Sequence, residues 1–238
     1  MTTLLLVRHG RTTANVDGLL AGWTPRVHLD ETGRGQAAAV AARLLPIPVA
    51  AVVTSPLERC RETAAALLAG RDGTPEHVDD RLGEVRYGDW TGRQLKELAE
   101  EPLWRVVQAH PSAATFPGAG AESMAAMATR AVAAVRAWNE RLGADATWVA
   151  VSHGDVIKAV VADALGLHLD HFQRIQVDPA SLTVVRYTEL RPFLVRLNDV
   201  GGAVDGLAAP AGRGGAPGDA VVGGGAGTAS TGGTAPEP

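Results

Sequence analysis

The chain reads as an α/β protein with a mostly parallel central sheet and helices on both faces. Strand-like and helix-like segments alternate along most of its length, the pattern of a parallel sheet with crossover helices. Two of the strand-like runs share a design. Leu4-Leu5-Leu6-Val7-Arg8-His9-Gly10 and Trp148-Val149-Ala150-Val151-Ser152-His153-Gly154 each drive apolar residues into a His-Gly pair. In open α/β sheets, ligands bind at the carboxyl ends of neighbouring strands, so both histidines are expected at the functional edge.

Thr3 to Arg8 forms the first strand. Asp30-Glu31-Thr32 leads into an Ala-rich helix from Gly35 to Leu45, which Pro46 stops. Ala50 to Thr54 is a short apolar strand, and Ser55-Pro56 reads as cap and first turn of a helix reaching about Ala69. Glu122 to Leu142 carries apolar residues at helical spacing and stops at Gly143. Thr147 to Ser152 is the second His-Gly strand, with a helix from Asp155 to Leu165 behind it. Leu182 to Tyr187 and Phe193 to Leu197 supply two further β segments. Residues 86–121 fit no such alternation and are expected to be helices and loops over the functional edge.

The boundary of the fold is set by composition. From Asp199 onward the chain holds 13 of its 28 glycines and no aromatic residue, so it can bury little apolar surface. Residues 1–198 are expected to form one domain and residues 199–238 a disordered Gly/Ala/Pro-rich tail. The formal net charge of −4 gives no electrostatic footprint for nucleic acid. A single cysteine, Cys60, excludes an intramolecular disulfide and a multi-cysteine metal site. Neither a signal peptide nor a membrane-spanning run is legible, so a cytoplasmic protein with no nucleic-acid or membrane partner is expected. A homodimer through an edge strand is compatible with the sequence.

Arg8 offers a planar fork of donors suited to phosphate or carboxylate oxygens. His9 at a strand end suits a nucleophile, a general base or a metal ligand. Gly10 permits a close approach that a side chain would obstruct, and Thr12 and Asn15 add neutral polar groups nearby. Three further segments follow in order: Ser55-Pro56-Leu57-Glu58-Arg59, Leu82-Gly83-Glu84-Val85-Arg86-Tyr87-Gly88-Asp89-Trp90-Thr91-Gly92, and Ser152-His153-Gly154.

This series resembles the histidine phosphatase superfamily, the phosphoglycerate mutase-like family, over about Thr2 to Leu197. The resemblance implies that family's three-layer sandwich, with His9 phosphorylated during turnover. It implies that Arg8, Arg59 and His153 complete a phosphate pocket, that Asn15 contacts the same phosphate, and that Glu84 is the proton donor. Thr12 and Gly154 are expected beside them as substrate contacts. On this scheme neutral His9 attacks phosphorus and protonated His153 stabilises the transferring group. No metal or other cofactor is expected, because cationic side chains take a metal's role.

The expected function is hydrolysis of a small phosphomonoester, a phosphorylated metabolite, through a phosphohistidine. The alternative is a phosphoglycerate mutase-like phosphomutase, and a remoter one a non-catalytic phospholigand-binding protein. Only about 69 residues separate Glu84 from His153, the chain has no Arg-Arg pair, and Arg105 is the only Arg or Lys between Glu101 and Ala121. Mutases of the family are longer there and use an arginine pair for the substrate carboxylate, which favours the phosphatase. Arg86, Tyr87 and Trp104 are candidates for substrate specificity, and Arg11 for positive potential at the pocket mouth.

Overall fold

The structure, a computed structural model, describes residues 1–202 together with 222, 223 and 225. One six-stranded sheet contains β1 (Thr2–Arg8), β2 (Val52–Thr54), β3 (Glu76–Val78), β4 (Thr147–Ser152), β5 (Leu182–Tyr187) and β6 (Pro192–Asp199). Their order across the sheet is β3-β2-β4-β1-β5-β6. The first four run parallel, while β5 pairs antiparallel with both β1 and β6. The helices are α1 (Thr13–Val16), α2 (Glu31–Leu44), α3 (Glu58–Leu68), α4 (Leu95–Leu98), α5 (Pro102–Ala109), α6 (Met124–Leu142) and α7 (Gly154–Leu165).

The pleat of β1 divides the core in two, as a period of two requires. Leu4 and Leu6 join Ala131, Val135, Val156 and Val160 of α6 and α7 on one face. Leu5 and Val7 join Val40, Leu44, Ala64 and Leu67 of α2 and α3 on the other. Burial on both faces is why β1 from Leu4 to Val7 and β4 from Trp148 to Val151 are continuously apolar rather than alternating. The architecture is the expected helix–sheet–helix sandwich.

Several boundaries differ from the expected ones for local reasons. Helix α2 begins at Glu31, four residues before the expected start, because the Asp30 side chain accepts from Gly33 N and caps it there. Helix α3 begins at Glu58 rather than at Ser55-Pro56; its N-cap, Leu57, makes no side-chain cap bond, and the Ser55 hydroxyl bonds His153 instead. Helix α6 is capped by Ser123, whose hydroxyl accepts from Ala126 N, so Glu122 lies outside it. Strand β3 was not anticipated, being a three-residue Glu-His-Val segment at the edge of the sheet. Residues 86–121 hold α4, α5 and short 3-10 turns, packed as a cover whose Trp104 and Phe116 stack near Trp90.

Strand β6 continues through Asp199, which pairs with Leu182. Val222 is buried with the core. Asp199 and Val222 both fall in the segment 199–238, expected to be a disordered tail, and both are ordered parts of the structure; positions 203–221, 224 and 226–238 lie outside the described residues. Among the described residues no helix is long and apolar enough to cross a membrane.

Candidate functional site

The register of β1 and β4 places Arg8 opposite Ser152, so both strands end at the same level and His9 and His153 emerge side by side. His9 N donates to the Ser152 carbonyl at 3.0 Å, extending the ladder one step beyond the strands. The two imidazole centroids lie 5.3 Å apart. Gly10 follows where the chain turns off the sheet. A Cβ there would collide with the Gly33 carbonyl at the start of α2, so its close approach is to the protein's own backbone and not to a ligand.

The two rings are wired differently. His9 Nδ1 lies 2.7 Å from the Gly10 carbonyl, an acceptor only, so Nδ1 carries the proton and Nε2 presents a lone pair. Burial, then Arg59 and Arg8, hold the His9 pKa well below its ordinary value. His153 Nδ1 lies 3.2 Å from Arg59 Nη2, which can only donate, so this nitrogen accepts. His153 Nε2 therefore carries the proton and donates to Ser55 Oγ at 2.8 Å. Burial and the field of Arg59 also push the His153 pKa far down. This corrects the expectation of a protonated His153: with these partners the ring is neutral.

Arg8 and Arg59 are both buried. Arg8 Nη1 donates to the Val177 carbonyl at 2.8 Å, which fixes the plane of its guanidinium. Arg59, in the first turn of α3, anchors Nη2 on the Gly22 carbonyl at 2.9 Å. Its Nη1 is buried with no hydrogen-bond partner among the described residues, a costly state for a charged donor.

Glu84 sits in the loop leading to the Gly-Asp-Trp turn. Its Oε1 accepts from Val85 N at 2.9 Å, while Oε2 lies 3.8 Å from His153 Nδ1. Burial, and then the nearby Asp155 carboxylate, push its pKa up to about 7 against the pull of Arg59 and Arg8. The 3.8 Å approach to neutral His153 is thus not a settled ion pair. Trp23 Nε1 and Arg130 Nη2 donate to the Glu84 carbonyl at 2.6 and 2.8 Å. Arg130 also binds the Gly83 carbonyl and both Glu122 carboxylate oxygens, so Glu122 and Arg130 together hold this loop.

His9, Thr12, Asn15, Arg59, Glu84 and Tyr87 line one small cavity. Thr12 is the N-cap of α1, and its N–H and hydroxyl both donate to Asn15 Oδ1 at 3.0 and 2.9 Å. That pairing fixes which face of the amide is the acceptor and leaves the Asn15 NH₂ for another partner. Gly154, the first residue of α7, does not line the cavity.

Among the weaker candidates, Tyr87 lines the cavity and donates its hydroxyl to Asp155 Oδ2 at 2.9 Å. Arg86 stacks over Trp23 with its guanidinium carbon 3.9 Å from the ring centroid, and Trp104 belongs to the core. Arg11 pairs with Asp30 and Thr32 at the start of α2 instead of facing the pocket. Cys60 is buried beside His153, and burial pushes its thiol up to about 12, which makes it a poor nucleophile. Among the described residues no group of three or more His, Cys, Asp or Glu is arranged to hold a metal ion.

The sequence assigns no role to Asp155 or Trp23, and to Ser55 only that of a helix cap. Asp155 had a legible signal: it is an acidic residue in Gly154–Leu165, a helix buried at nearly every position. Such burial of a carboxylate calls for specific partners.

A mostly parallel sheet delivering two histidines and two arginines to one edge defines a class of anion-handling α/β proteins, and here the class has a name. The chain belongs to the histidine phosphatase superfamily (branch 1), whose profile matches residues 4–200. It is similar to the adenosylcobalamin/alpha-ribazole phosphatase of Salmonella typhimurium, 45% identical over 98 residues, 41% of this chain and 48% of that protein. The chain thus spans about half the length of that relative. It is also similar to the glucosyl-3-phosphoglycerate phosphatase of Mycolicibacterium vanbaalenii, 34% identical over 177 residues, 71% of this chain and 76% of that protein. Among solved structures it resembles Bacillus stearothermophilus YhfR, with a TM-score of 0.77 and 29% identity over 84% of this chain and 98% of that one.

Proposed function

We propose that this protein is a phosphatase that hydrolyses a small phosphomonoester through a phosphohistidine on His9. The observation that carries this reading is the opposed protonation of two groups on one cavity. His9 is held neutral with Nε2 open, while Glu84 is held up to about 7, where it keeps a proton near neutral pH. A nucleophile without a proton and an acid with one are what ester cleavage needs.

In the first step, His9 Nε2 attacks phosphorus in line, the P–O ester bond breaks, and the Glu84 proton passes to the leaving oxygen. Arg8 and Arg59 stabilise charge on the equatorial oxygens, and the Asn15 NH₂ donates to one of them. Arg59 Nη1, unpartnered among the described residues, gains its acceptor from the phosphate. His153 stays neutral, its Nδ1 accepting from Arg59 Nη2 and so holding that guanidinium toward the phosphate. In the second step Glu84, now a carboxylate, takes a proton from water as that water attacks the phosphohistidine. The P–N bond breaks, inorganic phosphate leaves, and His9 and Glu84 return to their starting states.

The names of the relatives support small phosphorylated metabolites as the substrate class. Hydrolysis is favoured over phosphate relocation by the absence of an Arg-Arg pair and the short span from Glu84 to His153. The test is phosphate release from p-nitrophenyl phosphate, followed by acid-labile label trapping in a rapid quench. Label at His9 is expected; label at another residue overturns the assignment. With 3-phosphoglycerate, release of free phosphate is expected, and isomerisation to 2-phosphoglycerate without release overturns the hydrolase in favour of the mutase.

A further inference from the structure

The cavity lined by His9, Arg59 and Glu84 measures only about 20 Å³. One water needs about 10–15 Å³ by the same kind of measure, so a phosphate group does not fit. Part of what fills it comes from far along the chain. Val222 and Gly223 lie on its wall, and Val222 is buried with Leu20 and Tyr87.

The contacts are directional. Gly223 N donates to Asp155 Oδ2 at 3.0 Å, the same oxygen that accepts from Tyr87. Arg8 Nη2 donates to the Gly225 carbonyl at 2.9 Å. A peptide N–H is thus met by a buried carboxylate, and a peptide carbonyl by a buried guanidinium. Both are charge-assisted hydrogen bonds, stronger than neutral ones. Gly223 has φ +75°, a backbone conformation that L side chains rarely adopt, so the seat favours glycine.

We propose that Asp155 and Arg8 form a peptide-clamping subsite at the catalytic cavity, and that its occupants are this chain's own Val222, Gly223 and Gly225. Substrate and segment then exclude one another. The inference rests on the phosphatase reading only for its consequence, since the clamp is a binding site in its own right. The Gly225 carbonyl occupies an Arg8 donor that a phosphate oxygen would otherwise use. A segment of the same chain meets its seat at an effective concentration on the order of 1 mM. A clamp with an intrinsic Kd of about 0.1 mM would then be closed about ten times as often as open. Apparent affinity for substrate falls by that fraction.

The test uses the full-length chain. Gly223→Val and, separately, Val222→Asp should unseat the segment and lower KM for p-nitrophenyl phosphate about tenfold, raising kcat/KM accordingly. A synthetic peptide covering residues 218–228 should raise the KM of the Gly223→Val protein competitively, and the same peptide carrying Gly223→Val should not. Calorimetric titration of the first peptide into the Gly223→Val protein reads the clamp without turnover. Unchanged KM in both variants together with no peptide binding overturns the proposal. Peptide binding by a protein inactive on every phosphoester upholds the clamp and overturns the phosphatase reading instead.

Discussion

Two strand ends of this molecule share one design and behave as opposites. Each is an apolar parallel strand closing in His-Gly, and the register sets them side by side with ring centroids 5.3 Å apart. At the first, the ring donates Nδ1–H to the carbonyl of its own next residue, which leaves Nε2 facing the cavity. At the second, both ring nitrogens are taken, Nδ1 by Arg59 and Nε2 by Ser55. Burial and cationic neighbours depress both pKa values, so charge does not distinguish them. Hydrogen-bond partners do. A histidine's role is assigned by what holds its other nitrogen.

The most severe way to break this contrast is to remove the open ring. His9→Ala should abolish the covalent intermediate and lower kcat by about 10⁴-fold or more, the scale seen when a nucleophile is removed. Steady-state phosphate release together with the loss of trapped label checks it. A variant retaining label would mean that the second histidine can substitute for the first, and the contrast would collapse. Removing the cation that occupies the second ring should cost less. Arg59→Ala should lower kcat/KM by roughly 10² to 10³, as for loss of one preorganised donor to a transferring group. The same change releases His153 Nδ1, so the His153 pKa should rise; an imidazole titration followed by NMR reads this independently of turnover.

Glu84 sharpens the comparison through pH. The proposed reaction uses His9 without its second proton and Glu84 with its proton. The pKa of Glu84 is raised to about 7 by burial and by Asp155, so kcat/KM should fall as pH rises through about 7. The pKa of His9 is depressed well below 6.5, so the acid limb should lie well below that value. Glu84→Gln should remove the basic limb and lower kcat by about 10² on esters with poor leaving groups, and by less on p-nitrophenyl phosphate, whose leaving group needs little help from an acid. Stability should fall in the same direction with pH. A carboxyl whose folded pKa is raised contributes stability below its unfolded pKa, and that contribution is lost as pH rises through about 7. Glu84→Gln should therefore gain about 5 °C in Tm at pH 8 and nothing at pH 4.

The parts of this site legible in the sequence are those that depend on local pattern and on chain order. The centres of β1 and β4, Leu4 to Val7 and Trp148 to Val151, are continuously apolar because both their faces are covered, and the His-Gly pairs mark where each strand ends. The parallel arrangement then brings His9 and His153 together without further information. What could not be read depends on which side chain meets which across long separations. Ser55 has the composition of a helix cap, yet its hydroxyl bonds a histidine 98 positions away. Thr12 and Asn15 look like two ligand donors, yet they bond each other first. Asp155, an acidic residue in an apolar helix, signals that a partner exists but not that its partners are Tyr87 and Gly223. Strand β3 is too short and too polar to carry a period.

Ser55 offers the finest cut between the two strand ends, because it touches only the second ring. Its hydroxyl accepts from His153 Nε2 and from Leu57 N, so it holds the imidazole against the start of α3 and fixes which nitrogen bears the proton. Ser55→Ala removes that acceptor and leaves Cys60 Sγ, 3.4 Å from Nε2, as the nearest substitute. Sulfur is a weak acceptor, so the preference for the Nε2–H tautomer weakens to what the Arg59 donor at Nδ1 alone imposes, and the ring is held less firmly against the start of α3. The expected cost is about tenfold in kcat, in line with loss of a partner that orients a functional imidazole. KM should change little, because the hydroxyl does not line the cavity. Imidazole ¹⁵N shifts should show a tautomer mixture at His153 and an unaltered His9, and Ser55→Thr should restore both rate and spectrum. If His9 shifts instead, the two rings are coupled through the site and the division between open and engaged histidine is wrong.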